Sequence, residues 1–289
     1  MNQAHSNKGI LIVTCTDQPG VNAAVTQFLF QQQANITQSD QFSTDSHGGT
    51  LFMRVEFELA DLARRLPELT ESFRPVAERF SMNWGIRDAG ERKKLAIFVS
   101  KEDHCLQDLL IRWRIGELPA DIAMVVSNHP DLKSIVEPFD IPFHHVPVTK
   151  ETRLEAEQIH LDLLEGKVDT VILARYMQIM PSRMIERYRN RMINIHHSFL
   201  PAFIGGKPYQ QAFDRGVKLI GATAHYVTEE LDEGPIIEQD IQRVDHRAHV
   251  QDLKRIGRDI ERIVLARAIQ WHLNDQVFLN GNKTVVFGS

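Results

Sequence analysis

The sequence predicts an α/β protein in two parts: a small βαββαβ domain, then a doubly wound, mostly parallel sheet. Three observations carry this. Residues 1–87 set strand patterns and amphipathic helices in the order βαββαβ, which fits a ferredoxin-like domain. From residue 95 onward, short apolar strands alternate with helices, as parallel sheets require. Between them Asp88-Ala89-Gly90-Glu91-Arg92-Lys93-Lys94 is polar and charged, so the boundary is expected there, giving domains 1–87 and 88–289.

Each element has its own signal. Gly9 to Thr14 is a buried strand, and Asp17-Gln18-Pro19-Gly20-Val21 a turn opening a helix that runs to Gln33 at helical apolar spacing. Asn35-Ile36 begins a second strand, and Thr50 to Leu59 alternates as a third, joined to it by the Asp45-Ser46-His47-Gly48-Gly49 loop. Leu62 to Phe80 is amphipathic helix and Ser81 to Arg87 a closing strand. In the second part, strands are expected over Leu95–Val99, Asp121–Ser127 and Pro142–Val148, with helices over Cys105–Arg114 and Lys150–Leu164. The strongly apolar Val168–Ala174 is expected at the sheet centre. Two strands follow within Leu219–Asp240, then a long helix over Ala248–Leu273. A terminal hairpin over 277–287 turns at Asn280-Gly281.

At 289 residues, 43% hydrophobic and 25% charged, the composition is that of a soluble globular protein. No apolar run approaches the roughly 20 residues that cross a bilayer, and the amino terminus lacks a signal-peptide pattern. Two cysteines are too few for a disulfide framework and fit a reducing cytoplasm. A net charge of -5 offers no basic footprint for nucleic acid, so neither nucleic acid nor membrane is an expected partner.

The uncommon chemistry is concentrated in residues 190–240. Asn194 and His196 alternate with Ile193 and Ile195, so they share one face of a strand end. Asp232 lies on the turn Leu231-Asp232-Glu233-Gly234-Pro235. An amide donor, an imidazole and a carboxylate together suit attack on a carbonyl-like carbon. Taken singly, each also fits an ordinary polar strand end or turn.

As a string, N-I-H-x-S-x-L-P-x-F-x-G followed by G-x-T-x-H-x-V-x-x-x-x-D-x-G-x-I-I resembles the folate-dependent formyltransferase family. The resemblance implies that Asn194, His196 and Asp232 are the catalytic set. Asn194 would donate to the formyl oxygen, a cationic His196 would stabilise its charge, and Asp232 would hold water and move protons. It also implies that the segment after the central strand holds the pterin ring of a folate, with Tyr176, Met177, Gln178 and Ile179 in contact. Ile185, Met192, Val227 and Leu231 would be walls. The D-x-P-G turn and A-N-I of the first domain resemble the ACT domain family. This implies an amino-acid effector site at Asp17, Gln18, Pro19, Gly20, Val21 and Asn35, and pairing of copies into a homo-oligomer. A ferredoxin-like domain that only assembles copies is the alternative, and Asp17 or Gln18 could simply cap the helix.

One departure bears on the acceptor. Family members that use glycinamide ribonucleotide carry a Gly- and Ser-rich phosphate cradle after the first strand. Here the segment is Val99-Ser100-Lys101-Glu102-Asp103-His104-Cys105, without glycine and with acids that repel phosphate. Water is then the remaining nucleophile. Together with this departure, the resemblance implies hydrolysis of 10-formyltetrahydrofolate to tetrahydrofolate and formate, feeding one-carbon and purine metabolism with no separate cofactor. A transferase with another acceptor, or a silent folate or amino-acid sensor, are the alternatives. No metal is expected, since the adjacent His144-His145 and His196-His197 point to opposite strand faces. Ser198 lacks the G-x-S-x-G elbow of a nucleophile and is assigned to shaping its loop, and Gly205-Gly206-Lys207-Pro208 to a loop-to-helix turn.

Overall fold

The computed structural model describes residues 7–45, 48–202 and 208–288; Ser46, His47 and the Gly205-Gly206-Lys207 segment lie outside them. The chain divides into two units. The first runs to Arg92 and includes Asn274–Phe278 and the residues from Val285 on; the second holds Lys93–Leu273 and Leu279–Thr284.

In the first unit the chain forms β1 (Lys8–Thr16), α1 (Val21–Gln31), β2 (Asn35–Ser43), β3 (Thr50–Glu58), α2 (Leu62–Arg79) and β4 (Asn83–Asp88). The sheet order is β2-β3-β1-β4, with every neighbouring pair antiparallel. Strand alternation explains the core. Leu11 and Val13 of β1 and Val55 and Phe57 of β3 are fully buried together with Val25, Leu29 and Phe73 of the two helices. Phe73 meets Phe28 and Trp84 edge-on, with ring centroids 4.9 and 4.8 Å away. On the opposite face of β3, Arg54 donates to the Asn274 carbonyl and Phe52 packs on Phe278.

The second unit holds β5 (Lys93–Val99), α3 (His104–Arg114), β6 (Ala120–Ser127), α4 (Lys133–Val136) and β7 (Phe143–His145). There follow α5 (Arg153–Leu164), β8 (Thr170–Leu173), α6 (Ser182–Arg187), β9 (Met192–His196) and α7 (Pro208–Arg215). The chain ends in β10 (Leu219–Tyr226), β11 (Ile236–Arg243), α8 (Val250–Leu273) and the hairpin β12 (Val277–Asn280) and β13 (Lys283–Val286). Seven strands order as β11-β10-β9-β8-β5-β6-β7. The five from β9 to β7 are parallel, while β10 and β11 are antiparallel additions. The apolar stretch expected at the centre is β8, fourth of the seven. The chain reverses direction across the sheet between β5 and β8, the kind of switch point beside which doubly wound folds bind ligands. The strand expected over 142–148 is only three residues long, because its neighbours Pro142 and Pro147 lack the amide a ladder needs.

Candidate functional site

Beyond the end of β8, the segment 175–180 forms one wall of a pocket of about 290 Å³. Asn194, Ile195, His196 and His197 form another wall, and Val227 to Asp232 with His225 the third. Of the residues expected to hold a folate, Tyr176, Met177, Gln178, Ile179, Ile185, Val227 and Leu231 all line it. Met192 does not: it is 1% exposed and packs in the core beneath. Met177, Ile179 and Leu231 are more than half exposed, an unusual display of large apolar groups. Such a slot suits a flat, mostly apolar ring. The Met177 amide is already committed to the Ser100 hydroxyl, which in turn donates to Asn128, so the wall is fixed from behind.

The three candidate catalytic side chains meet at this pocket. His196 Nδ1 lies 3.3 Å from Asp232 Oδ2, and His196, which lines the pocket, has a buried Nε2 without a hydrogen-bond partner among the described residues. Asp232 sits on its turn at φ 59°, a left-handed conformation that a short polar residue tolerates. Burial pushes its carboxyl up, but hydrogen bonds and charge from His196 and His225 outweigh this and hold it well below the usual carboxylate range. It is therefore an anion throughout ordinary conditions.

His225 received no role from its sequence, although it is the His of the G-x-T-x-H-x-V string. Antiparallel pairing of β9 and β10 sets it directly opposite Asn194. Its Nδ1 donates to the Tyr226 carbonyl at 2.9 Å. In the neutral ring Nε2 is then an acceptor, and it lies 3.2 Å from the Asn194 amide nitrogen. One amide proton of Asn194 is thereby anchored, in a residue that lines the pocket. The same Nε2 is 3.7 Å from Asp232 Oδ1, so a protonated His225 would pair with that carboxylate in place of accepting from Asn194.

Gly234 makes the turn possible. A Cβ there would run into the Tyr226 carbonyl oxygen and crowd the His225 ring. Gly234→Ala is expected to displace the turn and lower kcat roughly 10- to 100-fold, since a displacement near 1 Å at a reacting group has that size of effect. Comparing its kcat with its affinity for an unreactive folate checks this, because a turn shifted only at Asp232 leaves affinity nearly unchanged.

A buried polar cluster adjoins the site. Glu261 of α8 is 1% exposed. It accepts from Tyr209 at 2.5 Å, pairs with His104 Nε2 at 2.8 Å, and has Arg175 Nε at 3.4 Å. Tyr209 reaches it because Gly257, one turn earlier on α8, leaves the room a Cβ would fill. Burial pushes the carboxyl up, yet His104, Arg175 and Tyr209 together hold it below its ordinary range. Arg175 also lines the pocket. His197 is pushed down to about 3, first by burial and then by the Arg175 charge, so it is neutral. Among the described residues His104, Cys105 and Glu261 bring potential ligand atoms within 4.8 Å of one another. Their chemistry suits a hydrogen-bonded network better than a metal. Burial, with Glu261 next, pushes the Cys105 thiol well up and keeps it protonated, while the Glu261 oxygens already have three partners.

Ser198 donates to the Ala202 carbonyl at 2.7 Å, which shapes its loop. Of the candidate effector residues, Asp17 to Gly20 form a partly exposed turn with Gly20 at φ 95°, followed by the buried Val21. No side chain caps α1, so neither Asp17 nor Gln18 serves that purpose. Asn35 is not brought to the turn. Asn35 and Lys8 both pair with Glu58, whereas Thr16 pairs with Thr50, so Asn35 lies at the other end of the sheet, roughly 26 Å away at ordinary strand rise.

Comparison with known proteins agrees with this geometry. Residues 93–269 match the Formyl transferase family and residues 9–73 the ACT domain. The chain is 54% identical over 284 residues to formyltetrahydrofolate deformylase of Bacillus subtilis, covering 98% of this chain and 95% of that one. The crystal structure of a formyltetrahydrofolate deformylase from Pseudomonas syringae pv. tomato superposes with a TM-score of 0.95 at 48% identity, covering 99% of this chain and 96% of that one. Glycinamide ribonucleotide transformylase 1 from Symbiobacterium toebii, at 28% identity and a TM-score of 0.65, covers 71% of this chain and 98% of its own. Two domains in the same order, matched along nearly their whole length, leave one assignment: the chain belongs to the formyltetrahydrofolate deformylase family.

Proposed function

We propose that this chain hydrolyses 10-formyltetrahydrofolate to tetrahydrofolate and formate, with Asn194, His196 and Asp232 acting on the formyl group. The observation that carries the choice of water is the segment after β5. Glu102 there pairs with Arg258 at 2.9 Å and His104 with Glu261 at 2.8 Å. Where the related transferases are expected to cradle an acceptor's phosphate, this chain places its own acids and their partners, which supports a small neutral nucleophile.

The folate ring enters the apolar slot, and the other Asn194 amide proton and His196 Nε2 face the formyl oxygen. Negative charge builds on that oxygen as water adds, and fixed donors stabilise it there more than in the ground state. Asp232 orients the water. Because the two imidazoles stabilise its anion, it is a weak base towards ordinary water. Its pull becomes effective once the oxygen begins to bond to carbon and its proton turns acidic. That proton then goes to the departing nitrogen. The substrate brings its own formyl group, so no separate cofactor is invoked. The first unit is assigned an amino-acid effector site at the Asp17–Val21 turn and a part in pairing copies.

Acceptor-free incubation of the purified protein with 10-formyltetrahydrofolate is expected to release formate and tetrahydrofolate in equal amounts. Slow release that accelerates many-fold with an added amine would make the chain a transferase instead. Tight folate binding without formate would make it a sensor.

A further inference from the structure

We propose that Arg175 forms a carboxylate subsite within the same pocket and holds the formate product after the C–N bond breaks, an inference that rests on the hydrolytic reading above. Arg175 lines the pocket with Asn194, His196 and His197. Its backbone is at φ 63°, in the left-handed region that a long side chain rarely adopts. Its side chain is only 12% exposed.

The guanidinium is under-used where it sits. Its Nε is 3.4 Å from Glu261 Oε2, and among the described residues neither Nε nor Nη1 has a hydrogen-bond partner although both are buried. Glu261 comes no nearer than 3.4 Å to that Nε, while Tyr209 and His104 hold its oxygens at 2.5 and 2.8 Å. A buried guanidinium with idle N–H groups is costly unless an acceptor arrives. Nη1 and Nη2 form the end-on fork of the guanidinium, and the acceptor that matches it is a carboxylate with two oxygens side by side. The formyl amide entering the pocket is neutral and lacks that pair. The reaction creates it: the oxygen of water bonds to the formyl carbon, and the C–N bond breaks with its electron pair going to nitrogen. One water proton ends on that nitrogen and the other leaves as formic acid ionises. Formate is thus generated as a small planar anion in the pocket that Arg175 lines.

The probe is sodium formate labelled with carbon-13, titrated into the full-length protein at constant ionic strength and followed by broadening of the formate signal. Wild type is expected to saturate with a dissociation constant below roughly 100 mM, and Arg175→Met to bind roughly 10- to 100-fold more weakly, the range of charge-assisted hydrogen bonds. Arg175→Lys, which keeps the charge and loses the fork, falls between them. If Arg175→Met fails to fold because Glu261 is left unpaired, Arg175→Met with Glu261→Gln removes both charges together and carries the same expectation. Equal broadening in wild type and in either charge-free variant overturns the proposal, as does a wild type that shows no saturation. Glutarate at matched concentration guards against the substrate's own carboxylates, and preferential binding of glutarate through Arg175 also overturns it. The acceptor-free assay keeps the two readings apart. Formate release without an Arg175-dependent formate site defeats this inference alone, whereas no release defeats hydrolysis and with it the product assignment.

Discussion

Asp232→Asn is expected to lower kcat for formate release by at least about 10³-fold while changing folate affinity by less than about threefold, combining lost proton handling with lost charge. The asymmetry follows from where the carboxylate stands. Asp232 ends the Val227–Asp232 wall of the pocket, whose other apolar walls include Tyr176, Met177, Ile179 and Ile185. Those walls are untouched by the substitution. Asparagine has almost the same volume, and its side-chain oxygen can still accept from His196 Nδ1, now 3.3 Å away. What disappears is the anion. Without it the water is less well oriented, no group takes its proton, and the positive form of His196 loses its partner. Since Asp232 is held well below the ordinary carboxylate range, the sign for pH is fixed. Its anion is fully present above the ordinary carboxylate value and is lost only as pH falls through the lowered one. Activity measured between about pH 5 and 9 therefore carries no inflection from Asp232. Single-turnover formation of formate, set beside equilibrium binding of an unreactive folate, tests the split. Near-normal turnover removes Asp232 from the mechanism, and lost binding makes it part of the slot.

Much of this site was legible before any coordinates. Asn194 and His196 share a face because strands alternate, and Asp232 stands on a turn marked by glycine and proline. The fold followed equally from the order of helical and strand patterns. What stayed hidden depends on pairing between distant segments. His225 acts on Asn194 only because β9 and β10 are antiparallel in one register, which periodicity within either strand does not reveal. Met192 was taken for a wall because an apolar residue beside the motif reads alike whether it faces a ligand or the core. The ACT resemblance joins Asn35 to the Asp17 turn through two short motifs, while α1 carries the chain back to the far end of the sheet. Arg175 carries no signal in the sequence, since the partner that defines it, Glu261, is 86 residues later on a helix.

Glu261 is the second large expectation. Within α8 it reads as one more acid on an amphipathic helix, and an exposed glutamate could be replaced with little effect. Its 1% exposure reverses that. Glu261→Ala is expected to destabilise the second unit by about 3–5 kcal/mol, the usual result of removing one partner from a buried ionic network. The loss comes mainly from what is stranded. Arg175 remains as a buried cation, Tyr209 loses its 2.5 Å acceptor and His104 its 2.8 Å partner. Glu261→Gln keeps an acceptor for Tyr209 and removes only the charge, so it should lose less. The pH dependence separates charge from packing. The Glu261 carboxyl is lowered in the folded chain, so its contribution is fully present above the unfolded value and is lost as pH falls through the folded one. Wild type should therefore lose stability on acidification more steeply than Glu261→Gln over that acidic window, and the two should run parallel at neutral pH. Denaturant midpoints of the second unit's transition, taken across this range, measure it directly. Alanine and glutamine variants within about 1 kcal/mol of wild type would mean that Arg175, His104 and Tyr209 find other partners. The cluster beside the pocket would then be adaptable, and the space it fills could reopen to a larger acceptor than water.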